Sequence, residues 1–326
     1  MIRPGVPAPS LAGRMGTEVV RERGGVRYLE LKARSLVNRC TSPRMPFQWT
    51  VNPYRGCAMG CQYCYATYTH EFMGITTPEE FHSTVYVKKG GEKETAYALA
   101  AAVRRGDRIA LGTGTDPYQP GEAEWRVTRA FLEQVVQHRG VRLGITTKGA
   151  TILRDIDLLR KIHERSSLSI QMSLISADAP LLRRLEPWAP PPEVRIEAMR
   201  RLREAGLDVW LGLAPVLPAI TDDEPALDRL LGAVRAAGVE GIFHNVLFLR
   251  SPTKEKYLRW LAQEFPRLLE AYRNAYAVRV YLRGSYRQRV DERVTRLAAR
   301  HGFSRERSDN ARAQPEEQLS LWEIER

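Results

Sequence analysis

The stretch Cys57-Ala58-Met59-Gly60-Cys61-Gln62-Tyr63-Cys64 carries three cysteines in the spacing C-x3-C-x2-C. Thiolate is the usual protein ligand of a 4Fe–4S cluster, and three neighbouring thiolates can each hold one iron of the cube. The fourth iron then has no nearby cysteine and stays open to a small molecule. The spacing therefore predicts an iron–sulfur cluster with one exchangeable coordination position.

This motif resembles the signature of the radical S-adenosylmethionine (SAM) superfamily. The resemblance implies that Cys57, Cys61 and Cys64 hold a 4Fe–4S cluster whose open iron chelates the amino and carboxylate groups of SAM. It further implies reductive cleavage of SAM to methionine and a 5′-deoxyadenosyl radical, which removes a hydrogen atom from the substrate. The protein's part is to hold that radical against one C–H bond and to exclude competitors. A small electron donor, either a flavodoxin or a ferredoxin, is then an expected partner.

A zinc site is the main alternative for these cysteines. Structural zinc takes four ligands, usually from paired C-x2-C knuckles, and only Cys61 and Cys64 form such a pair. The remaining candidate ligands are Cys57, Cys40 and His70. A disulfide framework is not expected, because 4 cysteines in 326 residues do not make a disulfide-dense chain. We expect Cys40 to be a bystander thiol.

Length and charge suit an enzyme with an anionic partner. A chain of 326 residues can form one barrel-sized domain with extensions. It shows no apolar leader and no run long enough to span a membrane, so we expect a cytoplasmic protein without membrane contact. The net charge of +12 favours a polyanionic partner, here DNA, and salt-dependent binding. A basic surface without a function is the alternative.

After the cysteines, short apolar runs alternate with amphipathic stretches. The predicted strands are 49–51, 108–112, 141–147, 168–176, 208–217 and 241–249, and the predicted helices are 92–105, 123–139, 153–165, 192–205 and 222–237. Strands separated regularly by helices predict an α/β fold with a parallel sheet. About six β/α units make an incomplete barrel, the usual core of the superfamily that the cysteine motif resembles. The chemistry of such barrels lies at the carboxyl ends of the strands.

The segment 52–66, together with the turn Thr115–Pro120 (TDPYQP), resembles the spore photoproduct lyase-like branch of the superfamily, and within it a bacterial subgroup. The resemblance implies that Tyr63 and Tyr65 pass a hydrogen atom back to the SAM-derived radical, with Tyr63 near the adenine. That branch uses a cysteine downstream of the cluster as hydrogen donor, and here no cysteine follows Cys64. A tyrosine donor or a different reaction is therefore expected.

Polar residues at the ends of three predicted strands are candidates to hold SAM. Thr113 and Thr115 lie in a turn whose glycines let the backbone approach a ligand, where the superfamily meets the SAM amino group. Lys148 can meet a carboxylate as a point charge. In the lyase-like branch that the sequence resembles, a lysine in this region contacts the SAM carboxylate. Ser173, in preference to Ser176, is a candidate for the ribose. The alternatives are an ordinary tight turn for the threonines and a rim salt bridge for Lys148.

Composition divides the chain into four parts. We expect a basic extension over residues 1–45, the partial barrel over 46–265, a basic helical extension over 266–307 and a flexible tail over 308–326. In the helical extension, apolar residues recur on one helix face, which indicates either a capping helix or a nucleic-acid contact; they are Val290, Val294 and Leu297.

The tail contains Gln318-Leu319-Ser320-Leu321-Trp322, which resembles the peptide by which bacterial polymerases and repair proteins dock on the sliding clamp. Gln318 supplies an amide anchor, and Leu321 and Trp322, after Leu319, supply apolar anchors for a pocket. The sliding clamp is therefore a predicted partner. The alternative is a tail that folds back and places Trp322 in the core.

These patterns predict a radical SAM enzyme acting on DNA, with lyase-like repair of damaged bases as the reaction. The same chemistry could instead modify RNA, a peptide or a small metabolite. A different class of protein is a non-catalytic iron–sulfur or zinc module that binds DNA. Reductive cleavage of SAM separates the enzymes from the binding module.

Overall fold

The computed structural model describes residues 19–43, 45–73, 75, 77–282 and 284–308. The predicted clamp-binding sequence Gln318–Trp322 lies outside these residues. Within them the strands are β1 Val19–Arg23, β2 Val26–Lys32, β3 Val37–Arg39, β4 Trp49–Val51, β5 Tyr54–Arg55, β6 Thr84–Lys89, β7 Arg108–Leu111, β8 Arg142–Thr147, β9 Ser167–Ser173, β10 Val209–Val216, β11 Gly241–Val246 and β12 Arg305–Ser308.

The α-helices of the described residues follow the strands along the chain. They are α1 Pro78–Ser83, α2 Glu92–Arg105, α3 Glu122–Trp125, α4 Val127–Val136, α5 Ile156–Arg165, α6 Ala179–Leu185, α7 Pro192–Glu204, α8 Glu224–Ala236, α9 Thr253–Glu264, α10 Leu269–Ala275 and α11 Ser285–Arg300. Short 3-10 helices cover Tyr65–Met73, Ala150–Asp155 and Pro266–Leu268. Every helix among the described residues is too short or too polar to cross a membrane.

The larger sheet has the strand order β12-β11-β10-β9-β8-β7-β4-β3. Strands β4 and β7 to β11 pair in parallel, which confirms the α/β fold with six β/α units. Strand β12 continues the sheet in parallel beside β11, and β3 closes its other edge antiparallel to β4. Helix α5 packs on β9, and α7 packs on β10, so helices cover one face of this partial barrel.

The predicted helix 123–139 is interrupted at Arg126, whose φ is +52°. The buried Glu122 carboxylate causes the break, because it accepts hydrogen bonds from the amides of Thr128 (2.9 Å) and Arg129 (3.2 Å) at the start of α4. A carboxylate at this end also complements the helix dipole. The predicted strand 168–176 likewise ends early, at Ser173.

A smaller sheet that the sequence did not predict has the order β1-β2-β6-β5. Strand β2 pairs in parallel with β6, and β5 pairs antiparallel with the other edge of β6. The segment that enters the cysteine motif, Tyr54–Arg55, is therefore held by β6, a strand that follows the motif in the sequence.

Helix α11 buries the apolar face that its sequence predicts, because Val290, Val294 and Leu297 are all at most 2 % exposed. It packs on α8 and β11. Two of its arginines form ion pairs with α8: Arg296 with Glu224 and Arg300 with Asp228. These pairs favour the capping role over a nucleic-acid contact for this helix.

Candidate active site

The three cysteines lie on one loop, residues 56–64, at the carboxyl end of β4; we call it the cluster loop. Two glycines let it fold. Gly56 has φ +78°, and a Cβ there would lie 2.1 Å from the Thr84 carbonyl oxygen. Gly60 has φ +72°, and a Cβ would lie 2.8 Å from the Trp188 ring. Any side chain at either position would force the loop away from its neighbours.

The first half of the loop is held by backbone hydrogen bonds. The Cys57 N–H donates to the Phe81 carbonyl (3.0 Å), and His82 Nδ1 donates to the Cys57 carbonyl (2.8 Å). The buried Gln119 side chain accepts from the Ala58 N–H at 2.9 Å. These contacts come from α1 and from the loop after β7, so two separate elements fix the position of Cys57.

The second half of the loop is held by α9. The Thr253 hydroxyl donates to the Cys64 carbonyl at 2.6 Å, and the Thr67 hydroxyl donates to the same oxygen at 3.3 Å. The Lys256 ammonium donates to the Cys61 carbonyl at 3.3 Å. These contacts fix the backbone at Cys61 and Cys64.

The three cysteines supply the sulfur donors that a 4Fe–4S cluster takes. Cys57 and Cys61 are buried and Cys64 is half-buried. Burial raises the pKa of each thiol, for Cys61 to about 12, and each neighbouring thiol adds to this effect for Cys57. Deprotonation therefore requires a positive partner, which bound iron supplies. The three cysteines fit a cluster.

The two candidate fourth ligands of a zinc site lie in other environments. His70, a candidate fourth ligand, accepts the Gly56 N–H through Nε2 at 3.1 Å. The Cys40 N–H donates to the carbonyl of Gln48, the residue before β4. Cys40 therefore lies at the opposite end of that strand from Cys57.

The Tyr63 side chain is directed into a buried ionic network. Its hydroxyl donates to the Glu186 carboxylate, which also pairs with Arg195. The Arg195 guanidinium donates further to the carbonyls of Pro190 (2.6 Å) and Ser173 (3.0 Å). The network ties the cluster loop to the end of β9 and to the start of α7.

Tyr65 occupies a different environment, because its side chain is 47 % exposed. Its hydroxyl donates to the carbonyl oxygen of Thr113, at the end of β7. Of the two predicted catalytic tyrosines, Tyr65 is thus the accessible one and Tyr63 the enclosed one.

Asn52 organises the turn that carries both predicted threonines. Its Oδ1 accepts the N–H groups of Gly114 (2.7 Å) and Thr115 (3.3 Å), and its Nδ2 donates to the Thr113 hydroxyl (3.2 Å). The buried Thr115 hydroxyl donates to the Tyr54 carbonyl at 3.3 Å. Thr113 is only half-buried and stays at the surface of the turn.

Lys148 extends from the end of β8 toward the cluster loop. Its Nζ lies 5.7 Å from the centroid of the Tyr63 ring. The backbone N–H of Lys148 donates to the Asp116 carboxylate at 2.7 Å. Burial lowers the pKa of Lys148, but nearby acidic groups, the Glu186 and Asp116 carboxylates among them, more than offset this and hold it above its ordinary value. The ammonium is therefore charged at neutral pH and suited to a carboxylate partner.

Ser173 is the last residue of β9 and is buried beside β10, where it pairs with Gly212. Its carbonyl is held by Arg195. Ser176 lies beyond the strand, and its hydroxyl accepts the Asp178 N–H at 3.0 Å. The strand end thus separates the two serines that the sequence offered as alternatives.

Several residues that shape the site escaped the sequence analysis. Asn52 and Gln119 hold backbone groups, Asp116 orients the start of the Lys148 loop, and Glu186 with Arg195 encloses Tyr63. Asp116 and Gln119 belong to the TDPYQP turn, and Asn52 belongs to the segment 52–66, so the motifs contained these three residues without indicating their contacts. Glu186 and Arg195 carried no signal, because Glu186 meets Tyr63 across 123 residues of sequence.

Comparison with known proteins places this arrangement in a family. The sequence matches the model of the Radical SAM superfamily over residues 51–231. An uncharacterized protein of Mycobacterium tuberculosis (strain H37Rv) is 34 % identical over 302 residues, covering 92 % of this chain and 88 % of the relative. An uncharacterized protein of Methanocaldococcus jannaschii is 25 % identical over 257 residues, covering 79 % of this chain and 91 % of that protein.

Solved structures share the fold. Spore photoproduct lyase complexed with dinucleoside spore photoproduct superposes with a TM-score of 0.66 at 14 % identity, covering 95 % of this chain and 87 % of that one. Streptococcus suis SuiB bound to SAM superposes with a TM-score of 0.53 at 11 % identity, covering 79 % of this chain and 49 % of SuiB. The chain is an enzyme that belongs to the radical SAM superfamily, whose cofactors are a 4Fe–4S cluster and SAM.

Proposed function

We propose that this radical SAM enzyme acts on DNA, in a lyase-like reaction on damaged bases. The observation that carries the proposal is a net charge of +12 on a chain with the fold of spore photoproduct lyase. An excess of positive charge favours a polyanion, whose binding releases counterions. A fold alone does not fix a substrate, so the charge supplies the second argument.

Residues around the cluster loop have distinct proposed roles. When bound, the cluster and SAM supply a 5′-deoxyadenosyl radical that removes a hydrogen atom from the substrate. Lys148 holds the SAM carboxylate as a point charge. Thr113 accepts from the amino group, with Thr115 behind it in the turn, and Ser173 meets the ribose. A flavodoxin or a ferredoxin delivers the electron.

Tyr65 and Tyr63 are the proposed hydrogen-atom relay, in place of a cysteine. No cysteine follows Cys64 in the sequence. Tyr65 is 47 % exposed and its hydroxyl donates to Thr113, in the turn proposed to hold SAM, whereas Tyr63 is buried and its hydroxyl donates to Glu186. We therefore assign the direct transfer to Tyr65 and a supporting role to Tyr63.

The direct test is SAM cleavage by anaerobically reconstituted, reduced protein with and without duplex DNA that has been irradiated with ultraviolet light. We expect 5′-deoxyadenosine formation to rise with irradiated DNA, and DNA affinity to fall steeply between about 50 and 200 mM salt. Stimulation by RNA or a peptide but not by DNA would contradict the proposal. Affinity that is independent of salt would also contradict it.

The clamp contact proposed for Gln318, Leu319, Leu321 and Trp322 has a separate test. A synthetic peptide of residues 314–326 should bind a bacterial sliding clamp with a Kd of about 1 μM. Replacing Leu321 and Trp322 by Ala should abolish that binding and leave SAM cleavage unchanged. Binding that survives the double substitution would contradict the motif.

A further inference from the structure

Three aromatic side chains and an arginine lie side by side beyond the end of β11. The Phe248 ring lies 4.8 Å from Tyr281 and 6.4 Å from Tyr68, measured between centroids. The Arg250 guanidinium lies over the Tyr68 ring, 5.2 Å from its centroid. We call these four residues the aromatic wall.

The wall borders the cluster loop. Phe248 follows the last residue of β11 by two positions, so it lies at the carboxyl end of the barrel. Tyr68 belongs to the 3-10 helix that follows Cys64. Thr253 continues the chain beyond Arg250 and donates its hydroxyl to the Cys64 carbonyl. A molecule on the wall would therefore lie beside the metal-binding cysteines.

Alternation along the chain keeps the wall out of the core. Buried and half-buried residues alternate here. Leu247 and Leu249 are fully buried, whereas Phe248 and Arg250 are half-buried. This is the period of an extended strand, and the Leu249 N–H donates to the Val280 carbonyl at 2.9 Å. The backbone thus holds Phe248 and Arg250 on one side, toward Tyr68.

Half-buried aromatic rings beside an arginine suit the stacking of a nucleobase. Every base has a π-face, so stacking on aromatic side chains does not depend on sequence, and a planar guanidinium adds to it. An enzyme that reacts with a base inside a barrel must first take that base or its neighbour out of the duplex stack. The displaced base then needs a replacement for its lost stacking partner.

We propose that the aromatic wall stacks a nucleobase of the DNA substrate, with Arg250 beside it. The proposal rests on the proposed function, since it presupposes DNA. It assigns to Phe248, Tyr68 and Tyr281 a role in binding the base, not in the radical chemistry.

The test compares two single-stranded oligonucleotides of equal length, oligo-dT and a strand of abasic sites, which carry the same phosphates. We expect wild-type protein to bind oligo-dT about tenfold more tightly than the abasic strand. In Phe248→Leu and in Tyr68→Leu this ratio should fall toward one. Tyr97→Leu is the matched control, because Tyr97 is 77 % exposed on α2 and should keep the wild-type ratio.

Each outcome has a definite meaning. Equal binding of both strands by wild-type protein would overturn base stacking while leaving DNA as the substrate. Absence of binding to either strand would overturn the wall, and the duplex experiment described above would then decide separately whether DNA is the substrate. If both variants keep the wild-type ratio of affinities for oligo-dT and the abasic strand, the base stacks on other residues and the proposed role of the aromatic wall is wrong. Iron content and SAM cleavage of the variants show that they are folded. The comparison of oligo-dT with the abasic strand on wild-type protein tests the proposal even if a variant does not fold.

Discussion

The Arg195 guanidinium and the Glu186 carboxylate form an ion pair in which both side chains are at most 1 % exposed. The pair lies behind Tyr63, the aromatic residue between the second and third cysteines. Its remaining hydrogen bonds go to Tyr63 and to two backbone carbonyls, so both charges are satisfied.

Replacing Glu186 by Gln should destabilise the protein strongly. The substitution leaves the Arg195 charge buried without its counter-ion, which costs about 3 kcal/mol. Urea denaturation of the cluster-free protein measures this. Glu197→Gln is the control, because Glu197 forms an exposed pair with Arg200 and its loss should leave the denaturation midpoint unchanged. Equal midpoints for the two variants would contradict the role of the buried pair.

The same pair predicts how stability depends on pH. Burial raises the pKa of Glu186, but Arg195 and Lys148 more than offset this and hold it below its ordinary value of 4.5. The pair therefore contributes stability that is fully present above pH 4.5 and is lost as pH falls through the lower, folded-state pKa. Urea midpoints of the wild type should fall in that window more than those of Glu186→Gln. Parallel pH profiles for the two proteins would argue against the prediction.

The cysteines should divide into three ligands and one bystander. Anaerobic reconstitution should load about four irons per chain. Replacing Cys57, Cys61 or Cys64 by Ala should abolish stable loading and 5′-deoxyadenosine formation. Cys40→Ala should keep both, because Cys40 lies at the other end of β4. Loss of iron from the Cys40 variant, or stoichiometric zinc in the wild type, would require a different site.

Asn52→Ala should weaken SAM binding, because the substitution removes three hydrogen bonds that shape the threonine turn. Each hydrogen bond contributes about 1 kcal/mol, and water replaces part of what is lost. We therefore expect the Kd for SAM to rise by roughly tenfold or more. Equilibrium binding to the reconstituted protein measures it. Gln48→Ala is a matched control at the other end of β4. A Kd for SAM that is unchanged in Asn52→Ala would separate the turn from the SAM site.

Tyr65 should donate a hydrogen atom that exchanges with solvent. When reduced protein cleaves SAM in D2O, transfer from the Tyr65 O–D group to the 5′ carbon should place deuterium in 5′-deoxyadenosine and leave a tyrosyl radical. Tyr65→Phe should lower deuterium incorporation well below that of Tyr97→Phe, and mass spectrometry detects the difference. Undiminished incorporation in Tyr65→Phe would assign the transfer to another residue.

Local patterns in the sequence predicted the main architecture. The helix predicted at 92–105 matches α2 residue for residue, and the six barrel strands occur in the expected order. Apolar periodicity and glycine stops are local signals, so they identify elements well. The prediction of one continuous helix over 123–139 was wrong at Arg126. The buried Glu122 carboxylate accepts hydrogen bonds from backbone amides there, and helix periodicity in the sequence does not reveal such a contact.

The supporting residues of the site were beyond such reasoning. Tyr63 and Glu186 are 123 residues apart, and Asn52 and Thr113 are 61 apart. Nothing in the periodicity around Glu186 distinguishes it from a surface glutamate. The cysteines could be recognised because one short loop carries all three, whereas the residues around them meet only after the chain has folded.

The anchors that α9 provides for the cluster loop predict an order for the maturation of the enzyme. The cluster loop begins just after β5, whose partner β6 ends at Lys89, and its second half is tied to Thr253 and Lys256 of α9. During synthesis, the three cysteines are made long before the anchors on α9. We therefore expect iron to enter only after synthesis has passed α9, so that the cell's cluster-assembly proteins meet a chain that is already folded.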